Sequence, residues 1–330
     1  MSHMIDGANN RANIAYVGAK PWHGLGQELT AGADLETWRR EAGLDWTVKE
    51  TPVQYQNGEL RTWDARKVLF RSDNGAALSV MAKGYNVVQP ADVLNLYSEI
   101  AKAGGFTLET AGSLDEGRRI WALAKVHDGA DVVERDRVRP YILVATSFDG
   151  SMATTAKFTA VRVVCHNTIT QAVGVRGDAR QDARIVHSVK WDEDVAKRVR
   201  LQLGVVHSQF ERFMVEARAL AGKPMPDQEA DDFVRDLLEP YVSKGADGKR
   251  DVRESKGYQR IMALFNGAAM GDDLAHGSRW GMLNAVTQLV DHERGRSDST
   301  RLESAWFGTG AAIKERAYAI LNGEFERVAA

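Results

Sequence analysis

Apolar and polar positions change their period several times along the chain, and each change predicts a different kind of element. Residues 5–45 open irregularly, because Pro21-Trp22-His23-Gly24-Leu25-Gly26 joins a ring-constrained residue, two glycines and a bulky aromatic, a composition suited to a loop. A short helix follows, capped by Asp34, striped by Leu35, Trp38, Arg39 and Ala42, and stopped at Gly43. From Trp46 the pattern turns β-prone. Thr47 to Tyr55 and Glu59 to Trp63 flank Asn57-Gly58, a hairpin cue because both residues tolerate positive φ. Lys67 to Arg71 and Ala77 to Ala82 flank Ser72-Asp73-Asn74-Gly75, so a second hairpin is expected in a sheet of about four strands.

Pro90 suits the first turn of a helix, since it lacks the N–H that such a turn leaves unpaired. Val93, Leu94, Leu96, Tyr97, Ile100 and Ala101 then form a 3.6-residue stripe ending at Gly104-Gly105, which predicts a helix laid on the sheet. Phe106 to Ala111, Arg119 to Val126, Val132 to Arg139, Tyr141 to Ser147 and Met152 to Thr159 read as further strands, most simply a meander. Val161 to Val173 fits strand or helix, and a helix from about Val163 is the assignment made.

After Gly174 a connector of net charge +2 runs to Lys190. A long helix is predicted from Asp192, with Val199, Leu203, Val206, Phe210, Phe213, Ala217 and Leu220 alternating spacings of four and three, a heptad stripe that needs a partner. Further helices are expected over Glu229 to Leu238, Lys256 to Phe265, Ser278 to Val290 and Ser304 to Leu321, with a polar loop over Val242 to Ser255. The fold class is therefore α+β: an antiparallel sheet with a packed helix, followed by a helical C-terminal region. The expected divisions are 5–45, 46–190 and 191–330.

Composition narrows the function classes. The 330 residues, 44% hydrophobic, can bury a core. With 43 basic against 45 acidic residues, the chain cannot hold nucleic acid by bulk charge alone. The one cysteine, Cys165, forms no internal disulfide, and no apolar run reaches a membrane span, so a reducing cytoplasm is the expected compartment. Met1-Ser2-His3-Met4 reads as a cloning scar ahead of a start at Met4.

Cys165-His166-Asn167 names the groups of a thiol hydrolase, yet adjacent side chains diverge, and a small buried thiol is the plainer account. Trp22-His23-Gly24 suits a ligand lip or a packed core edge. His187, His207, His276 and His292 lack metal-ligand spacing, and neither a dinucleotide fingerprint nor a phosphate loop is present, so no cofactor or metal is expected. The basic residues are more suggestive. Arg118, Arg119, Lys125, Lys157 and Arg162, with Arg176, Arg180 and Arg184 beyond them, accompany Trp121, Tyr141 and Phe158 on the second strand set. Cations that follow phosphates and rings that stack on bases are the requirements of single-stranded nucleic acid. The expected contacts are Arg118, Arg119, Lys125, Lys157 and Arg162 to phosphates and Trp121 to a base. The alternative is a solvated sheet surface with its aromatics facing inward.

Three blocks resemble the phage/plasmid-like protein family, mobile-element proteins defined by a domain of unknown function. They are Pro21-Trp22-His23-Gly24-Leu25-Gly26, then Val163-Val164-Cys165-His166-Asn167-Thr168, then Trp280-Gly281 and Asn284-Ala285-Val286-Thr287 with Asp291-His292 and Phe307-Gly308-Thr309-Gly310. The likeness spans nearly the whole chain. It implies a gene carried by a phage, prophage or plasmid and a protein acting in the bacterial host's cytoplasm, with no enzyme implied. The element pattern is also similar to single-strand annealing recombinases of the Redβ and RecT type, an analogy of fold. The leading expectation is a non-catalytic, homo-oligomeric protein binding single-stranded DNA in recombination or annealing. Its alternatives are a host-protein interaction or counter-defence factor and an enzyme centred on Cys165 and His166.

Overall fold

The computed structural model describes residues 7–8, 11–18, 26–162, 167–169, 183–185, 206–242, 251–269, 275–295, 301, 304–306 and 308–323. It divides into two compact units. The first takes residues 1–127, 141–158 and 175–206, and the second takes 128–140, 159–174 and 207–330. The α+β class is observed, with largely antiparallel strands and a helical C-terminal part.

In the first unit, β1 (Gly7–Ala8) and β2 (Arg11–Ala12) form a small ladder. β3 (Ile14–Val17) lies between β4 (Gln27–Leu29), to which it runs parallel, and β8 (Thr107–Leu114), to which it runs antiparallel. Residues 5–45 were expected to hold only a loop and a helix, so this strand is a correction. Ile14, Ala15 and Tyr16 are buried, and both neighbouring ladders take up their backbone groups. The predicted short helix is α1 (Leu35–Glu41), where the Asp34 carboxylate accepts the Thr37 N–H at 2.7 Å and Trp38 is the buried anchor.

Both predicted hairpins form a separate sheet of three strands: β5 (Val48–Asn57), β6 (Glu59–Arg71) and β7 (Ala77–Ala82). One strand, β6, spans both runs expected on either side of Asp64. α2 (Pro90–Gly104) lies against β8 and β9 (Arg119–Lys125), burying Val93, Leu94, Leu96 and Tyr97 as the stripe predicted.

The meander is carried by β8 to β9, then β11 (Arg137–Ser147) and β12 (Thr154–Arg162), both of which contribute residues to each unit. The strand expected over Val132 to Arg139 is observed only from Arg137, where β11 begins. β10 (Ala130–Asp131) is short, and Val132 to Asp136 make a turn in which Val132 N–H donates to Asp136 O and Arg135 adopts a φ of 67°. The helix expected from Val163 is also corrected. Asn167–Ile169 form β13, paired with Ala160–Arg162, where Val161 and the β-branched pair Thr168 and Ile169 favour extension. β14 (Ala183–Ile185) pairs with the start of β12.

The second unit packs α3 (Val206–Ala221), α4 (Asp227–Leu238), α5 (Lys256–Ala263), α6 (Arg279–Gln288) and α7 (Thr309–Leu321). Ser255 and Ser278 cap α5 and α6 through their hydroxyls. The heptad stripe finds its partner within the unit: Phe213 meets Trp280 edge-on at 6.2 Å and stacks on Tyr318 at 6.3 Å. Phe210, Ala217 and Leu220 are buried beside it, so these positions offer no stripe to a second copy. Val199 and Leu203 lie outside the described residues.

Candidate nucleic-acid interface

The basic set anticipated from the sequence does not assemble into an open track among the described residues. Arg118 Nη1 donates to Asp115 Oδ1 at 3.1 Å, its Nη2 lies 3.6 Å from Glu116 Oε2, and its Nε donates to Leu78 O. Arg119 Nη2 donates to Asp149 Oδ2 at 3.3 Å and to the Ser151 hydroxyl at 3.2 Å. Burial works against the Asp149 charge. Hydrogen bonds from Ser151 and Ser147, with the Arg119 guanidinium, outweigh it and hold the carboxyl below its ordinary range.

Trp121 is 4% exposed, opposite Ala145 on β11 and Gly112 on β8, so its ring faces no solvent. Lys125 stands half-buried at the far end of β9, about 20 Å from Arg119 at the rise of an extended strand. Lys157 and Arg162 belong to β12, and their side chains lie outside the described residues. The same holds for Arg176, Arg180 and the Arg184 side chain, and for Trp22, His23, Cys165 and His166.

An exposed constellation lies elsewhere, on the arm made by β5 and β6. Every residue from 54 to 66 is exposed, so this part of the hairpin has no buried face. Two rings stand on it, Tyr55 at 48% and Trp63 at 49% exposure. The register pairs Val53 with Trp63 and Tyr55 with Arg61. Directly paired residues share a face and the pattern repeats every second residue, so Tyr55, Arg61 and Trp63 present themselves together. A register shift follows, leaving Asp64, Ala65 and Arg66 without partners on β5. This bulge carries Arg66 over the Trp63 ring, 5.6 Å from its centroid. Neither Arg61 nor Arg66 has a carboxylate partner among the described residues.

The base of the arm is held firmly. Arg71 is buried, sits 4.4 Å over the Trp46 ring, donates twice to Asp73 at 3.0 and 2.7 Å, and reaches Glu116 O. Trp46 in turn meets Phe148 edge-on at 5.7 Å. A Cβ on Gly117 would lie 2.9 Å from both Arg71 Nη1 and the Trp46 ring, and its φ of 87° excludes most side chains besides. Sequence reasoning missed the arm as a site. Its signal was present in Gln54, Gln56, Asn57, Glu59, Thr62 and Asp64, a hairpin with polar residues on both faces and no core in which to bury Tyr55 and Trp63.

The sequence profile of a domain of unknown function, DUF932, matches residues 77–306, more than two thirds of the chain. The chain belongs to the DUF932 family. Two of the sequence blocks, Val163 to Thr168 and Trp280 to His292, fall within the DUF932 region, whereas Pro21 to Gly26 and Phe307 to Gly310 lie outside it. The arm's Tyr55, Arg61, Trp63 and Arg66 precede the match, so DUF932 membership assigns them nothing. Searches of curated proteins and of solved structures return no match. Among the described residues no helix is long and apolar enough to cross a membrane, and no group of three or more His, Cys, Asp or Glu is placed to hold a metal ion.

Proposed function

We propose that this DUF932 protein is a non-catalytic mobile-element protein of the bacterial host's cytoplasm that binds single-stranded DNA, in support of recombination or annealing, and that the β5–β6 arm is its contact surface. The observation that carries the reading is the shared face of Tyr55, Arg61 and Trp63, with Arg66 over the tryptophan ring and, among the described residues, no carboxylate on either arginine. Exposed rings accept any base by stacking, and unpaired guanidiniums follow the phosphates, so such a face needs no sequence readout. The relocation from the strands of the meander to the arm follows from charge: Arg118 and Arg119 are already neutralised by Asp115, Glu116 and Asp149.

The test is fluorescence anisotropy with a labelled oligothymidylate. Tyr55→Ala and Trp63→Ala are each expected to weaken binding by about 5- to 100-fold, the range for loss of one base-stacking platform. Arg118→Gln with Arg119→Gln should leave the affinity within about two-fold, because those charges are spent internally. Equal binding by the wild type and both aromatic variants removes the arm from the reading. A second reading, a host-protein partner, draws on Leu60, 67% exposed on the opposite face, whose aliphatic side chain offers nothing to a base. Under that reading Leu60→Asp abolishes capture of one host protein and leaves oligonucleotide binding unchanged.

A further inference from the structure

The sheet of β5, β6 and β7 has two edges, and they differ. On β7, Arg118 Nε donates to Leu78 O at 3.1 Å and the Ser79 hydroxyl donates to Phe148 O, so other parts of the unit lie against that edge. On β5, Gln89 closes only the first position: its side-chain amide accepts the Val48 N–H at 2.8 Å and donates to Val48 O at 3.3 Å. That clamp fixes which residues turn their backbone outward. Strand residues alternate, so Val48, Glu50, Pro52, Gln54 and Gln56 point their backbone polar groups away from β6. From Glu50 to Gln56 these groups meet no partner among the described residues. An open edge of this kind is a template for another strand.

Native edges are commonly blunted by charge, yet Thr51 to Gly58 carries none, and only Pro52 removes a donor. The open run is symmetric about Val53. Turned end for end against itself, it sets Glu50 against Gln56 of a second copy and Pro52 against Gln54, so every open position is used. With the proline N–H missing, about six backbone hydrogen bonds form. The reversal also brings the tip of each arm beside the base of the other. Lys49 at the base and Glu59 at the tip are exposed, share the face of Tyr55, and have no charged partner among the described residues, so opposite charges meet at both ends. Glu50, the other charge at the base, is already held by Lys67 Nζ at 2.8 Å. We propose that the chain forms a two-fold dimer by antiparallel pairing of β5 with β5 of a second copy, centred on Val53. The two Val53 side chains then lie side by side with a Trp63 beyond each, a β-branched contact flanked by indoles, and the two arms present one continuous face.

Sedimentation equilibrium of the full chain, without nucleic acid, is the test. Wild type is expected to be a dimer that dissociates on dilution. Gln54→Pro with Gln56→Pro removes about four of the bonds between copies while sparing the ladder to β6, and should leave a monomer with an unchanged far-UV circular dichroism spectrum. Lys49→Glu alone should weaken dimerisation about ten-fold, since two attractions become two repulsions, and Lys49→Glu with Glu59→Lys should return it to within about three-fold of wild type. That exchange of charges tests the register without proline, so the question is decided even where the double-proline variant misfolds. A wild type that is monomeric at every concentration, a dimer that survives the proline pair, or a Lys49→Glu defect that Glu59→Lys fails to rescue overturns the proposal. A dimer that binds no oligonucleotide would end the functional reading and leave this one standing, and oligonucleotide binding by a strict monomer would do the reverse.

Discussion

The two arm arginines make a quantitative prediction about salt. Each phosphate neutralised on a single strand contributes about 0.7 to the slope of log affinity against log salt. Arg61 shares a face with Tyr55 and Trp63, and Arg66 is stacked over Trp63, so a strand laid across the two rings brings its phosphates to both. Two contacts give a slope of about −1.4, a loss of roughly seven-fold in affinity for a four-fold rise in salt. Arg61→Gln with Arg66→Gln should therefore flatten the slope by about 1.4, whereas Trp63→Ala should lower affinity at every salt concentration while leaving most of the slope in place. Anisotropy titrations over a four-fold range of sodium chloride measure both numbers. A slope that survives the double arginine change, or that disappears instead with Arg118→Gln and Arg119→Gln, would show that the phosphates run elsewhere and refute the placement on the arm.

Two stability predictions follow from charges held inside the units. Lys314, 1% exposed, donates to Asp291 Oδ1 at 2.7 Å in the second unit, and Lys314→Met takes the ammonium away from that buried carboxylate at a cost of about 3 to 5 kcal/mol; Lys314→Met with Asp291→Leu should recover most of it in urea unfolding. Should the single change cost under about 1 kcal/mol, water or another group must reach Asp291. Asp149 has a folded-state value depressed below 3.8, so its stabilising contribution is complete above that value and is lost as the pH falls through the depressed one. Wild type should accordingly lose more stability than Asp149→Asn between about pH 5 and pH 3, and parallel acid profiles for the two would show that the carboxylate titrates normally.

The elements legible in the sequence were those that carry their own punctuation. Asn57-Gly58 reversed the chain with Gly58 at a φ of 73°, the Pro90 stripe became α2, and Asp34 capped α1 as its position before the helical run implied. The elements that escaped depend on distant partners. Ile14–Val17 is a strand because β4 and β8 flank it, and Val132 to Asp136 turns back so that the buried Asp136 carboxylate can accept the Trp280 indole N–H at 2.8 Å, from 144 residues away. Among the described members of the basic set, Arg118 and Arg119 are paired with acids for the same reason. Asp115 lies three residues from Arg118 and could have been suspected, but Asp149 reaches Arg119 only through the folding of the sheet. Cation positions are written in a sequence, whereas their neutralisation is written in the packing.

The same pairing of arginine and tryptophan occurs twice within residues 46–71, with opposite outcomes. Arg71 over Trp46 is buried, its guanidinium closed by Asp73 and by Glu116 O, and the pair holds the base of the arm. Arg66 over Trp63 is exposed, and no acid among the described residues completes it. Trp38, Trp46, Trp121, Trp280 and Trp306 are all at most 7% exposed, so this chain buries its other described indoles and leaves Trp63 out. Half an indole in water forgoes apolar burial that the first pair achieves, and Leu60 on the reverse face forgoes it again. A hairpin that is anchored at its base and unburied along its length leaves that favourable burial to be gained on binding, and the arginines beside the rings are what make an anionic strand the partner proposed for it.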